Sequence, residues 1–224
     1  MGVTSRKIAV FLALIFYLIS LSLVVCSFLT EYWVVSAVTN ENYGSAGRSR
    51  VNSGLLSGMR EVDWGLGVRY MPFSVLDEIQ NEISFYSRIL WIFILFFIAL
   101  GILWICVGIV TSLLSSFTAQ EDSIAGPIGI YLWSLLAILS LSASCVIFYI
   151  QFHSTMQKNL LTFELVQAGY STQGLAKLGS SFYFMLGALV ALYFPPLFVF
   201  ISTDNGKNGK CPRAASTDPT ALLY

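Results

Sequence analysis

The side chains that could bind a metal or act as nucleophiles are few and widely separated. The chain has four cysteines and one histidine. Cys26, Cys106 and Cys145 lie in long uncharged stretches, and Cys211 lies near the end of the sequence. No pair is therefore placed for a disulfide in a polar segment. A metal site needs several converging ligands, and His153 stands alone, so the sequence predicts no metal site.

Sequence motifs for catalysis are also missing. The chain contains no glycine-rich phosphate loop, no G-x-S-x-G turn and no H-E-x-x-H helix. Gly65-Leu66-Gly67 lacks the further glycine and the strand-helix context of a nucleotide site. We therefore predict no cofactor and no enzymatic activity. His153 is expected at the headgroup boundary of a membrane, with pH sensing as the alternative role.

The composition is that of a membrane protein. Of 224 residues, 56% are hydrophobic and only 11% are charged. Twelve Lys and Arg residues balance twelve Asp and Glu residues, so the chain lacks the positive charge of a nucleic-acid-binding protein. The longest apolar stretches contain no Asp, Glu, Lys or Arg in their interiors. This disfavours a transporter or a self-sufficient ion channel, which use such groups as relay or ion sites.

Four uncharged stretches are long enough to cross a hydrocarbon core of about 30 Å as helices. They predict spans at residues 8–30, 89–116, 128–152 and 178–203. A cleaved signal peptide is the alternative for the first stretch, but Cys26-Ser27-Phe28 is a poor cleavage site. Pro195-Pro196 removes two backbone donors and predicts a kink in the fourth span.

Basic residues indicate the orientation of the spans. Most of them gather on the two terminal segments, as Arg6, Lys7, Lys207, Lys210 and Arg213. Because such residues favour the cytoplasmic side, we expect both termini in the cytoplasm and the protein in the plasma membrane. Residues 1–7, 117–127 and 204–224 are then cytoplasmic, and residues 31–88 and 153–177 form two extracellular loops.

The extracellular loops carry the remaining secondary-structure signals. Tyr32 to Thr39 is aromatic and β-branched and predicts a strand, whereas residues 40–60 read as turns or a mobile connection. Residues 74–87 have helical periodicity with a capping signal at Ser74 and Asp77. In the second loop, helical spacing continues the third span up to Gly169. The sequence thus predicts an all-α membrane protein, a four-transmembrane-helix bundle with a small extracellular β-sheet.

Small residues in the predicted spans favour close helix packing. They are Gly101 and Gly108 in the second span, Ser134, Ser140, Ser142, Ala143 and Ser144 in the third, and Gly187, Ala188 and Ala191 in the fourth. Their main expected role is contact within the bundle. A face for another membrane protein is the alternative.

Several segments resemble one family of four-span proteins. These are Trp33 after the first span, Trp64-Gly65-Leu66-Gly67-Val68-Arg69 followed by Phe73, Gly126-Pro127-Ile128-Gly129-Ile130-Tyr131-Leu132-Trp133, His153, and Leu223-Tyr224. The layout is similar to that of claudins, peripheral-myelin-type proteins and calcium-channel gamma subunits. Within this claudin-like group the chain resembles a divergent clarin. Clarins carry a cysteine just before Gly-Leu-Gly, where this chain has Trp64.

The resemblance implies a non-enzymatic organiser of sensory-cell membranes. Clarins are associated with maintenance of hair bundles and synapses, with actin-linked membrane specialisations and with placement of channels. The expected partners are membrane lipids and other membrane proteins, together with the actin cortex. One alternative is an auxiliary subunit of an ion channel or mechanotransduction complex. A second is a claudin-like adhesion protein.

Two further hypotheses concern the predicted cytoplasmic tail. Leu222-Leu223-Tyr224 places apolar side chains at the last and third-last positions, as a PDZ domain of a scaffold accepts. Cys211 lies close to Lys207, Lys210 and Arg213, a setting that suits S-acylation.

Gly126 and Gly129 are expected to permit a sharp turn and close packing where the third span begins, and Pro127 suits the first turn of a helix.

Overall fold

The computed structural model describes residues 3–40, 49–63, 67–117 and 127–208. Within them, four helices are long and apolar enough to cross a membrane, at Lys7–Leu29, Arg88–Ser116, Ile128–Met156 and Ser180–Ser202. A small antiparallel sheet accompanies them. The predicted fold class, a four-helix membrane bundle with a small β-sheet, is confirmed.

The helices of the bundle are α1 (Val3–Leu29), α3 (Arg88–Phe117), α4 (Pro127–Gln151), α6 (Ser180–Leu192) and α7 (Phe194–Asn208). Helix α1 packs on α3, α6 and α7, while α4 packs chiefly on α3. The fourth span breaks at Tyr193, and Pro195 lies in the first turn of α7, where a missing N–H costs nothing. The predicted kink is thus a boundary between two helices.

Small residues let the helices approach closely, as predicted. A Cβ atom on Gly108 would lie 2.7 Å from the ring of Tyr17, and one on Gly101 would lie 2.5 Å from Leu141. The Tyr17 hydroxyl donates to the carbonyl of Ile130 at 3.0 Å and is hydrogen-bonded to the Ser134 hydroxyl at 2.6 Å. Hydrogen bonds and close packing hold a bundle together in lipid, where the hydrophobic effect between helices is absent.

The sheet is built from both segments that were predicted to be extracellular. The first contributes β1 (Val34–Asn40), β2 (Ser49–Ser53), β3 (Ser57–Asp63) and β4 (Val68–Ser74), and the second contributes β5 (Tyr170–Ser171) and β6 (Lys177–Leu178). The strand order is β4-β3-β2-β1-β5, and β6 also pairs with β1. We call residues 30–40, 49–63, 67–87 and 157–179 the sheet domain. Its two segments thus form one unit.

The expectation of turns over residues 40–60 was wrong, because β2 and part of β3 lie there. In β3 the residues alternate between half-buried and buried, and Gly58, Arg60 and Val62 are the buried ones. This period of two was hidden in the sequence because the inward side chains include a charged one. Residues 41–48 lie outside the described residues.

The predicted helix over residues 74–87 was wrong in length. Helix α2 runs only from Val75 to Gln80, although the Ser74 side chain caps it as predicted, accepting from the Asp77 N–H at 3.3 Å. Glu82 then adopts a φ of 53°, which turns the chain, and Ser84 pairs with Thr162. Pairing with the second segment therefore replaces the last turns of the predicted helix.

The predicted extension of the third span to Gly169 was also wrong. A π-helical turn, Phe152–Met156, continues α4, and the chain then leaves the helix before the short α5 (Phe163–Gln167). The two segments contact each other through the pairing of β5 and β6 with β1. The strand pairing gives hydrogen-bond partners to backbone N–H and C=O groups that would otherwise have been paired within a longer helix.

A buried ion pair joins α2 to the sheet. Arg60 donates from Nη1 and Nη2 to the two carboxylate oxygens of Glu78 at 2.5 and 2.7 Å, and both residues are buried. The guanidinium also lies over the ring of Phe73, 3.7 Å from its centroid. A bidentate pair with a stacked ring leaves neither charge isolated in the core.

We predict that losing one partner of this pair is costly, because the other stays buried as an unpaired charge. Arg60→Met or Glu78→Leu should each lower the unfolding free energy by about 3–5 kcal/mol, and the double variant should recover most of that loss. Unfolding of the purified protein in detergent measures this. Arg50→Met, on the exposed side of β2, is the control. Additive losses in the double variant would contradict the prediction.

Candidate interaction site at the junction of the sheet domain and the bundle

Trp33 lies where the chain leaves α1 and enters the sheet. Its side chain is fully buried, and its indole Nε1 donates to the carbonyl of Ser27 in the last turns of α1 at 2.7 Å. The ring packs edge-on against Phe148 of α4 at 4.6 Å and Phe182 of α6 at 5.9 Å between centroids. One side chain therefore links the sheet to three of the four spans.

Ser181, in the first turn of α6, connects to the same point. Its carbonyl accepts from the Ser27 hydroxyl at 2.6 Å, and its own hydroxyl is bonded to that of Thr30 at 2.7 Å. Its N–H donates to the carbonyl of Tyr32 at 3.1 Å, and its hydroxyl accepts from the Tyr32 N–H at 3.2 Å. Ser181 thus joins the end of the first span to the start of the fourth.

Gly179 allows the two backbones to come this close. Its N–H donates to the carbonyl of Trp33 at 2.9 Å. A Cβ atom at this position would overlap the carbonyl oxygen of Tyr32, a backbone atom that cannot rotate away. The junction therefore requires glycine at residue 179 for space.

A second tryptophan fastens the other side of the sheet domain. Trp91, in the first turn of α3, is buried, and its Nε1 donates to the carbonyl of Leu55 at 3.1 Å. Its ring lies 5.3 Å from that of Tyr86, whose hydroxyl is bonded to that of Ser53 at 3.0 Å. Burial raises the pKa of Tyr86 to about 12, so its hydroxyl stays neutral as a hydrogen-bonding group.

The described residues hold no group of three or more His, Cys, Asp or Glu side chains that could bind a metal ion. Cys26, Cys106 and Cys145 are free thiols. The exposed His153 is bonded to the hydroxyl of Tyr149 at 3.2 Å. The contacts around Trp33 and Trp91 hold the sheet domain in a fixed orientation on the bundle, and the exposed side chains offer surfaces for contacts with other molecules.

The structure does not bring the motif residues together. Trp33 lies at the sheet end of the bundle, whereas Pro127, Gly129 and Tyr131 lie in the first turns of α4 at the opposite end. Gly129 is buried, Tyr131 is half-buried, and Gly67 is exposed with a φ of +116°. The remaining predicted positions lie outside the described residues: Gly65, Leu66, Gly126, Cys211, Leu222, Leu223 and Tyr224.

Sequence reasoning missed Ser27, Gly179 and Ser181, which form the junction with Trp33. Their only sequence signal is their position, because each is a small or polar residue within a few residues of the end of an apolar stretch. Such residues are common there, so the pattern does not single them out.

Comparison with known proteins identifies the family. A family model described as Clarin-2-like matches residues 5–171. The chain belongs to the clarin family. Human Clarin-3 is 30% identical over 177 residues, which cover 75% of this chain and 72% of the human protein. The resemblance inferred from the sequence motifs is therefore confirmed, and the chain is a multi-pass clarin-type membrane protein.

The family match includes Trp33 but ends before Gly179 and Ser181. The part of the junction contributed by the fourth span thus lies beyond the residues that the clarin family model covers. Its role rests on the contacts of this chain alone.

We predict that Gly179→Ala destabilises the protein by about 1–3 kcal/mol, because overpacking forces the backbone of Tyr32 to move. Gly187→Ala, in α6, the helix that follows Gly179, is the control. Its added Cβ would meet nothing nearer than Leu23 at 3.8 Å. Thermal unfolding in detergent and the amount at the cell surface measure the effect. Equal stability of the two variants would contradict the prediction.

Proposed function

We propose that the protein is a non-enzymatic membrane organiser of the clarin type. In this role it positions membrane protein complexes and links them to scaffolds or the actin cortex in sensory cells, where it supports maintenance of the hair bundle or synapse. The observation that carries the proposal is the junction around Trp33, which fixes the sheet domain on the bundle. A fixed domain can present two neighbouring proteins in a constant relative position.

In this proposal the sheet domain is extracellular and both termini are cytoplasmic, at the plasma membrane. The basic residues of the terminal segments support this orientation. The tail would then reach cytoplasmic scaffolds through Leu222, Leu223 and Tyr224, with Cys211 as a site of S-acylation. Accessibility of tags at the two ends in intact cells tests the orientation, and opposite accessibility would refute it.

An exposed face of α1 favours a second function, that of an auxiliary channel subunit. It carries Ile15, Leu18, Ile19, Ser22 and Leu23. Apolar side chains around a small polar residue suit a transmembrane helix of a pore-forming chain. Isolation of the full-length protein from sensory-cell membranes in mild detergent separates the two functions. One stoichiometric channel partner supports the auxiliary role, whereas a broader set of scaffold and junction proteins supports the organiser.

We predict that removing residues 222–224 leaves thermal stability unchanged but reduces co-isolation of cytoplasmic PDZ scaffolds. Adding one glycine after Tyr224 should act in the same way, because a PDZ groove requires a free terminal carboxylate. Equal recovery of scaffolds by all three forms would contradict the tail hypothesis.

Aggregation of non-adherent cells on expression of the protein would instead favour the claudin-like adhesion role.

A further inference from the structure

An apolar patch is exposed where the two segments of the sheet domain meet beside the bundle. We call Ile83, Phe85 and Phe163 the phenylalanine patch. Their exposed fractions are 38%, 38% and 43%. The rings of Phe85 and Phe163 pack edge-on with centroids 4.5 Å apart, and the Phe163 N–H donates to the Ile83 carbonyl at 3.2 Å. The patch is therefore a built surface made by both segments.

The patch lies close in the chain to the start of the second span. Phe85 precedes the first residue of α3 by three positions, and three residues span at most about 10 Å. The headgroup region on each side of the hydrocarbon core is about 5–8 Å thick. Ile89 and Phe93, in the first turns of α3, are 68% and 48% exposed on the surface that faces lipid. The patch thus lies within reach of the headgroup region beside the start of α3.

Helix α4 marks the same level independently. Trp91 packs near Phe148 at 6.3 Å, so the first turns of α3 lie beside the last turns of α4. Tyr149, which is 48% exposed, and the exposed His153 form a bonded aromatic pair there. Aromatic side chains with a polar end are typical of the membrane–water boundary. Both helices therefore reach that boundary at the end of the bundle that carries the sheet domain.

The charges around the patch select the type of lipid. Exposed Glu82 precedes Ile83, and exposed Glu164 follows Phe163. Exposed Arg88 and Lys158 lie within a few residues of Phe85 and Phe163 in the sequence. Two cations and two anions give no net attraction to an anionic surface. They do match a headgroup that carries both a phosphate and an ammonium group. The surroundings thus fit a zwitterionic phospholipid.

We propose that the phenylalanine patch inserts at the headgroup boundary of the leaflet on the sheet side and binds zwitterionic phospholipid. Burial of exposed aromatic surface drives the insertion. The lipid contact then adds to the contacts around Trp33 and Trp91 that already hold the sheet domain on the bundle.

Photo-crosslinking of the full-length protein in nanodiscs tests the proposal. The photoreactive residue p-benzoyl-phenylalanine replaces Phe85 or Phe163, one at a time, in pure phosphatidylcholine nanodiscs, and intact mass spectrometry detects lipid adducts. The positive control is Ile92, which is 57% exposed in α3. The negative control is Tyr70, 67% exposed on β4 and paired with Glu61 toward the end of the sheet remote from the bundle. Unchanged thermal unfolding verifies that each variant is folded.

We expect adducts at residues 85 and 163 with yields within about twofold of Ile92 and at least about fivefold above Tyr70. Exchanging about a third of the lipid for phosphatidylserine should leave those yields unchanged. Yields at the level of Tyr70 would overturn the proposal. Crosslinks between two protein chains would overturn it in favour of a protein interface. Adducts that require phosphatidylserine would overturn the assignment to a zwitterionic lipid.

Discussion

The structure depends on how backbone groups are satisfied where the chain leaves the hydrocarbon core. Helix ends carry unpaired carbonyl and amide groups, and the membrane core offers no water to satisfy them. Here residues 30–33, which follow α1, bond to both ends. Carbonyls in the last turns of α1 accept from the indole of Trp33 and from the Thr30 hydroxyl, while the first turn of α6 donates to the carbonyl of Tyr32. The sheet begins at this exchange, so its orientation follows from it.

The same logic extends to the core of the sheet domain. Arg60 is acceptable in a buried strand only because Glu78 of α2 takes both of its terminal nitrogens. Tyr86 stays neutral and bonded to Ser53, beside Trp91 at the start of α3. Polar contacts thus join strand to helix at Arg60 and Glu78, and Tyr86 joins the sheet to the start of α3. The bundle combines close approach at Gly101 and Gly108 with the hydrogen bonds of Tyr17.

The sequence was most informative where the lipid constrains it. A helix in hydrocarbon must be long, apolar and uncharged, so the four spans could be predicted from composition alone. Strand β3 could not, because its inward residue Arg60 becomes acceptable only through a partner 18 residues away. The end of α2 was missed for a related reason, since Ser84 pairs with Thr162 from the other segment. Gly179 was missed because steric need arises from a neighbouring backbone, which local sequence does not reveal.

The pairing of β1 with strands from both segments has a consequence for biosynthesis. Val34 and Val35 pair with Leu178 and Lys177, which immediately precede the fourth span. During translation, one edge of β1 stays open until three of the four spans have been made. A product that stops before residue 170 would carry that bare edge, a surface prone to aggregation. Completion of the sheet thus requires that the chain has been made through the first three spans and the second segment, up to the start of the fourth span.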